Sequence, residues 1–148
     1  MKEFITQQFV NSERELNSLR DFLRVNQLPA DDLTLADSLY MTCYDTTEEL
    51  VGSGGLEFYG DKALLRSLAV SQTMRSQSLG KQIVEDLIQQ VKSKGKKEMY
   101  LLTQTAYYFF LKLGFSEVPR DAVPEEIKSS TEFSQVCPTS ARVMKLVL

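Results

Sequence analysis

The stretch Lys62–Val70 constrains this chain more than any other part of it. Leu64-Leu65-Arg66-Ser67-Leu68-Ala69-Val70 is apolar with almost no alternation. A half-exposed strand alternates apolar and polar residues, so this run fits a strand covered on both faces in the middle of a sheet. Ser71–Ser78 is a polar loop. Beyond it, Leu79–Lys94 carries apolar residues at helical spacing, with Leu79, Ile83 and Leu87 in one row and Val84, Ile88 and Val91 in the next. Gly95 stops that helix, and Glu98–Thr103 is a short strand. Strand, helix and strand in this order make a βαβ unit with parallel strands. The 148 residues fit one domain, 1–148, around one core.

Elements flank the unit on both sides. Phe4–Val10 is a first strand. Asn11–Asn26 is a helix opened by a capping box, Ser12 with Glu15, and lined by Leu16, Leu19, Phe22 and Leu23. Leu28-Pro29-Ala30 ends it. Ser38–Tyr44 and Leu50–Tyr59 form a hairpin whose return strand holds Gly52, Gly54 and Gly55. Such glycines mark a bulge or a close approach. Gly60-Asp61 turns into the central strand. Ala106–Leu113 is a short aromatic helix ended by Gly114. Phe115–Val118 is a strand, Pro124–Ser130 a helical turn and Ala141–Leu148 a final strand. The expectation is an α/β chain with a mixed central sheet of about six to seven strands flanked by helices.

Composition removes several chemistries. There is no histidine, hence no Ser-His-Asp triad and none of the commonest bases or metal ligands. Cys43 and Cys137 lie far apart with no zinc spacing, so no metal is expected. Cys43 sits in a strand pattern as a core residue. Net charge is −3. The one basic cluster, Lys92, Lys94, Lys96 and Lys97, is a solvated helix end, so no nucleic-acid partner is expected. No apolar run approaches the roughly 20 residues of a membrane span, and Glu3, Gln7 and Gln8 are unlike a leader peptide. The expectation is a cytoplasmic protein with reduced thiols and no membrane partner. The final strand could pair with a second copy in a homodimer.

Chemistry concentrates between Leu64 and Gln82. N–H groups at a helix start lack partners, and the helix dipole makes that end positive. Ser76, Ser78 and Gly80 are small, and Arg75 and Lys81 add charge, so the loop suits a pyrophosphate. Helix capping alone would favour the same serines.

Here the chain resembles the GNAT superfamily of acetyl-CoA-dependent N-acetyltransferases. Leu68-Ala69-Val70 matches that family's strand end, and Arg75-Ser76-Gln77-Ser78-Leu79-Gly80 its (R/Q)-x-x-G-x-(G/A) loop, with Ser78 where the first glycine is usual. Phe109-Phe110-Leu111-Lys112-Leu113-Gly114-Phe115 matches a second family motif, with Phe110 in the usual place of a tyrosine. Gly55-Leu56-Glu57, Leu64–Val70, Leu102-Thr103-Gln104-Thr105-Ala106 and Cys137-Pro138-Thr139-Ser140-Ala141 resemble the arsenic-resistance (arsinothricin-type) N-acetyltransferase branch.

The resemblance implies a GNAT fold, acetyl-CoA as co-substrate and a small, amino-acid-like amine as acceptor in arsenical or antibiotic detoxification. It implies that the backbone of Leu68, Ala69 and Val70 holds the pantetheine arm, that Arg75, Ser76, Gln77, Ser78, Leu79, Gly80 and Lys81 bind pyrophosphate, and that Phe110 also meets the cofactor. Tyr107 or Tyr108 could replace the missing phenol as general acid, or simply pack. Glu57 is the candidate general base, its alternative being a cross-strand pair with Arg66. Arg66 in turn either binds a substrate carboxylate or pairs with Glu57. Thr103, Gln104 and Thr105, at a parallel strand's carboxyl end, face the acceptor or cofactor. Cys137 lines the acceptor pocket or is a small buried hydrophobe. Two other readings stay open: an acetyltransferase for a protein N-terminus or lysine, and a non-catalytic acyl-CoA-binding sensor.

Overall fold

The computed structural model describes residues 5–133 and 140–148, and at Ser76 and Gln77 the backbone alone. Seven strands form one sheet: β1 (Thr6–Phe9), β2 (Ser38–Tyr44), β3 (Leu50–Tyr59), β4 (Lys62–Val70), β5 (Glu98–Thr103), β6 (Ser116–Val118) and β7 (Arg142–Val147). Their order is β1-β2-β3-β4-β5-β7-β6. β4 and β5 pair in parallel, as the strand–helix–strand reading requires, and the other neighbours are antiparallel. Among the described residues four α-helices accompany the sheet: α1 (Glu13–Val25), α2 (Leu79–Ser93), α3 (Tyr107–Lys112) and α4 (Glu125–Lys128). None of the helices described is long and apolar enough to cross a membrane.

Each helix follows its sequence. Ser12 Oγ accepts from Glu15 N at 3.2 Å, while Glu15 Oε1 reaches back to Asn11 N at 2.9 Å. One orphan donor of the first turn and the N–H just before the cap are thereby satisfied. Leu16, Leu19 and Leu23 of α1 are fully buried. α2 buries Leu79, Ile83, Val84, Leu87 and Val91 and ends at Gly95, whose φ of 73° suits a residue without Cβ. The stretch expected as a plain loop, Ser71–Ser78, holds a 3₁₀ turn over Gln72–Gln77. Met74 explains the difference: its side chain is buried, and its N–H bonds to Ser71 O at 2.9 Å.

The sheet is covered on both faces. On one, α2 packs with α3 over Leu56, Leu65, Met99, Leu101 and Met144. Gly52 and Gly54 make that approach possible: a Cβ on Gly54 would lie 2.7 Å from side-chain atoms of both Ile83 and Leu87. The other face carries two apolar clusters, one under α1 with Tyr40 and Ala69, the other under α4 with Leu64, Tyr100 and Val143. Cys43 is a core residue, and burial pushes its thiol up to about 12.

Candidate active site

The site begins where β4 leaves its neighbours. The parallel ladder covers only Lys62–Leu64 against Glu98–Tyr100. Beyond it the two strands run on to Val70 and Thr103 without pairing to one another. On the other edge the register passes from Gly55–Arg66 to Ser53–Ala69, so Ser67 and Leu68 together face Gly54. This two-against-one bulge bends the strand and re-aims its side chains. Ser67 sits there at φ 58°, and Ser53 Oγ pins the bulge by donating to Ser67 O at 2.8 Å.

Two joined cavities open from this splay. The outer cleft, about 630 Å³, lies between Leu68–Val70, the start of α2 (Ser78, Gly80, Lys81) and Phe109. The inner cavity, about 570 Å³, lies between Leu65–Leu68 and Leu101–Ala106, with Phe110 and Glu132 in its wall. Asn26, Leu28, Leu68 and Ala106 border both. At the mouth of the cleft Ser78 holds φ 60° and ψ 20°, the left-handed conformation that favours glycine, and its side chain caps nothing. The first N–H groups of α2 therefore keep their capacity to bind an anion. Arg75 Nε donates to Val70 O at 3.0 Å, which ties the loop to the strand end. A Cβ on Gly80 would stand in ordinary contact, 3.6 Å, with both Phe109 and Val70, so a side chain at this position faces the gap between them.

Behind the inner cavity lies a buried polar seam between the α1 and α4 clusters. Tyr40, Gly55 and Arg66 pair across three strands. A Cβ on Gly55 would meet the Tyr40 ring at 2.5 Å, so glycine here makes room for the ring. Arg66 is 3% exposed. Its Nη1 and Nη2 grip Asp32, the latter at 2.8 Å, while Nη1 also donates to Glu57 Oε2 at 3.1 Å and Nε to Ser67 Oγ at 3.1 Å. Glu57 Oε1 accepts from Tyr59 OH at 2.9 Å. Glu132 lies 3.8 Å from Arg66 Nε. Burial foremost, with Glu57 and Asp32 adding and Arg66 opposing, pushes the Glu132 carboxyl up to about 8. Asp32 is held below its usual range because the bonds from Arg66 outweigh its burial.

The expected site residues divide accordingly. Leu68, Ala69, Val70, Arg75, Ser78, Gly80 and Lys81 border the outer cleft, while Ser76 and Gln77 end the 3₁₀ turn before it and Leu79 is buried in the core. Thr103, Gln104 and Thr105 border the inner cavity, where Thr103 Oγ1 also accepts from Ala106 N at 2.9 Å and starts α3. The remaining expected residues described lie away from the outer cleft. Phe110 is packed edge-on against Phe109 and Phe115 and lines the inner cavity, while Phe109 lines the cleft. Helix phase decides this, since the two rings point about 100° apart. Tyr107 stacks under Arg142 with a centroid distance of 4.5 Å, Tyr108 is 73% exposed, and neither borders either cavity. Glu57 and Arg66 hold one another, and Glu57 does not border the inner cavity. Cys137 lies outside the described residues. Sequence reasoning missed Asp32, Glu132 and the Asn26–Leu28 corner. Asp32 stood among ordinary loop polars, and nothing local to Glu132 foretells its burial.

Known proteins share this fold. The model of the acetyltransferase (GNAT) family matches residues 5–115. An uncharacterized N-acetyltransferase of Chlorobaculum tepidum is 30% identical over 84 residues, 56% of this chain and 54% of the relative, so the match spans about half of that protein's length. A GNAT-family acetyltransferase from Staphylococcus aureus superposes with a TM-score of 0.75 at 17% identity, over 98% of this chain and 99% of that one. N-acetylglutamate synthase from Neisseria gonorrhoeae, complexed with coenzyme A and N-acetyl-glutamate, superposes with a TM-score of 0.77 at 14% identity, over 100% of this chain and 36% of that one.

Proposed function

This chain belongs to the acetyltransferase (GNAT) family, and from that premise we propose that it transfers the acetyl group of acetyl-CoA to a primary amine of a small acceptor, with both substrates bound at once. The observation that carries the reading is the pair of joined cavities where β4 parts from β5: one opens on an uncapped helix start, and the other has a charged wall. Arg75, Ser76, Gln77, Ser78, Leu79, Gly80 and Lys81 take the pyrophosphate, chiefly through backbone N–H groups. The backbone of Leu68, Ala69 and Val70 holds the pantetheine arm, and N–H groups freed by the bulge polarise the thioester carbonyl. Thr103, Gln104 and Thr105 border the acceptor.

The resemblance to the arsenic-resistance branch supports an amino-acid-like acceptor, arsenical and phosphinic mimics included. Arg66 does not anchor its carboxylate in this reading, because Asp32 occupies the Nη1–Nη2 edge that a carboxylate would need. The leaving thiolate needs no protein acid, since its conjugate thiol has a pKa of about 8.5.

The test is release of free thiol from acetyl-CoA across a panel of amino acids, arsenical and phosphinothricin-type mimics, polyamines and short peptides. Saturable release with one small-amine class is the expected result, and binding of acetyl-CoA with no release on any amine would contradict it. That second outcome is what a non-catalytic sensor would give, a reading favoured by one observation: among the described residues no tyrosine borders either cavity.

A further inference from the structure

Three carboxylates surround Arg66, and they are not equivalent. Asp32 and Glu57 each receive hydrogen bonds from it. Glu132 is 6% exposed, and among the described residues its one ion pair is the 3.8 Å approach to Nε, a donor already bonded to Ser67 Oγ at 3.1 Å. No hydrogen bond to the Glu132 carboxylate is found among the described residues. It is also the one carboxylate of the three that borders the inner cavity. A buried carboxylate without a hydrogen bond is costly unless a cation or a proton meets it.

The structure assigns Glu132 as the general base of the acetyl transfer proposed above: it binds the acceptor's ammonium and takes its proton. The inference rests on that reading of the cavities. The charge balance argues for it. Asp32 already matches the single charge of Arg66, Glu57 takes a further hydrogen bond from the same guanidinium, and the remaining groups facing the seam, Tyr40 and Tyr59, are phenols whose pKa burial raises further. A third negative charge is therefore stable only when a cation enters the cavity, and the acceptor's ammonium is such a cation. Burial that keeps Glu132 protonated near neutrality gives it proton affinity closer to that of an amine than an ordinary carboxylate has.

The step balances. One proton passes from the ammonium nitrogen to the Glu132 carboxylate. The freed lone pair forms the C–N bond at the thioester carbonyl carbon, the C–S bond breaks, and its electron pair leaves on sulfur. The second nitrogen proton neutralises the thiolate, and Glu132 returns its own proton to solvent. Glu57 then becomes a positioning residue that fixes Arg66, in place of the base its sequence position suggested.

The experiment is the pH profile of kcat/KM on the best amine of the panel for wild type, Glu132→Gln and Glu132→Asp, with acetyl-CoA affinity measured in parallel. The wild type should rise through an inflection near 8. Glu132→Gln should lose that limb and roughly 100- to 1,000-fold in kcat, while binding acetyl-CoA as before. Glu132→Asp should keep the limb at reduced kcat. A wild-type limb and rate in Glu132→Gln would overturn the assignment while leaving acetyl transfer intact. Absence of any release by the wild type would instead remove the parent reading. Should Glu132→Gln fail to fold, carboxyl-carbon NMR of the wild type decides. A carboxyl titrating near 8 and falling when the amine is added supports the assignment, and none above about 6 overturns it.

Discussion

Ser78 shows how one residue can carry both a motif and a departure from it. Its φ of 60° is the conformation for which the family uses glycine, and a side chain there costs about 1 kcal/mol or more. Ser78→Gly should remove that cost against some gain in unfolded-state freedom. The expected net stabilisation is about 0.5 kcal/mol, read by urea denaturation. Glu132 makes a second prediction. Its folded pKa, about 8, lies above the ordinary 4.5, so the native state holds an extra proton between those values and stability falls as pH rises through that window. Glu132→Gln should abolish this slope, and identical stability–pH curves for the two proteins would contradict it. At this scale the sequence was legible for the cleft and much less so for the seam. Ser78, Gly80 and Leu68–Val70 lie within one contiguous motif. Asp32, Glu57, Arg66 and Glu132 come together only through sheet register and the α4 side of the fold, which local pattern does not encode.

Elements were easier to read than residues because their causes are local. The continuous run in β4 and the two apolar rows of α2 each point to one structure, and both formed where expected. The glycines of β3 were legible as close approach, but what approaches was not. Gly52 and Gly54 admit α2 side chains, whereas Gly55 admits the Tyr40 ring. That ring is rigid and buried, so Gly55→Ala should destabilise by about 1–3 kcal/mol through overpacking. Thermal and urea unfolding would check it, and a neutral effect would mean the ring can move away. A bulge was legible as one meaning of the β3 glycines, but its place at Ser67–Leu68 of β4 was not, for a related reason. It arises from register between two strands, and neither strand alone specifies it.

Taken whole, the molecule places a charged seam between two apolar clusters on one face of its sheet, next to a gap between parallel strands. Arg66 holds that arrangement together. Arg66→Leu would leave Asp32 and Glu57 buried without a counter-ion, and the expected loss is about 3–5 kcal/mol at neutral pH, a large share of a domain's stability. The deficit should shrink in acid, where Asp32 takes up a proton. The central claim is that the gap beside β4, closed off by the start of α2, is an acetyl-CoA site. Calorimetric titration of acetyl-CoA into the wild type and into Gly80→Leu tests it most directly, since a side chain at position 80 would fill the cleft between Val70 and Phe109 without crossing the core. One site in the wild type, weakened at least about tenfold in the variant, is the predicted result. Equal affinity in the two proteins, or no binding by the wild type, would contradict the account.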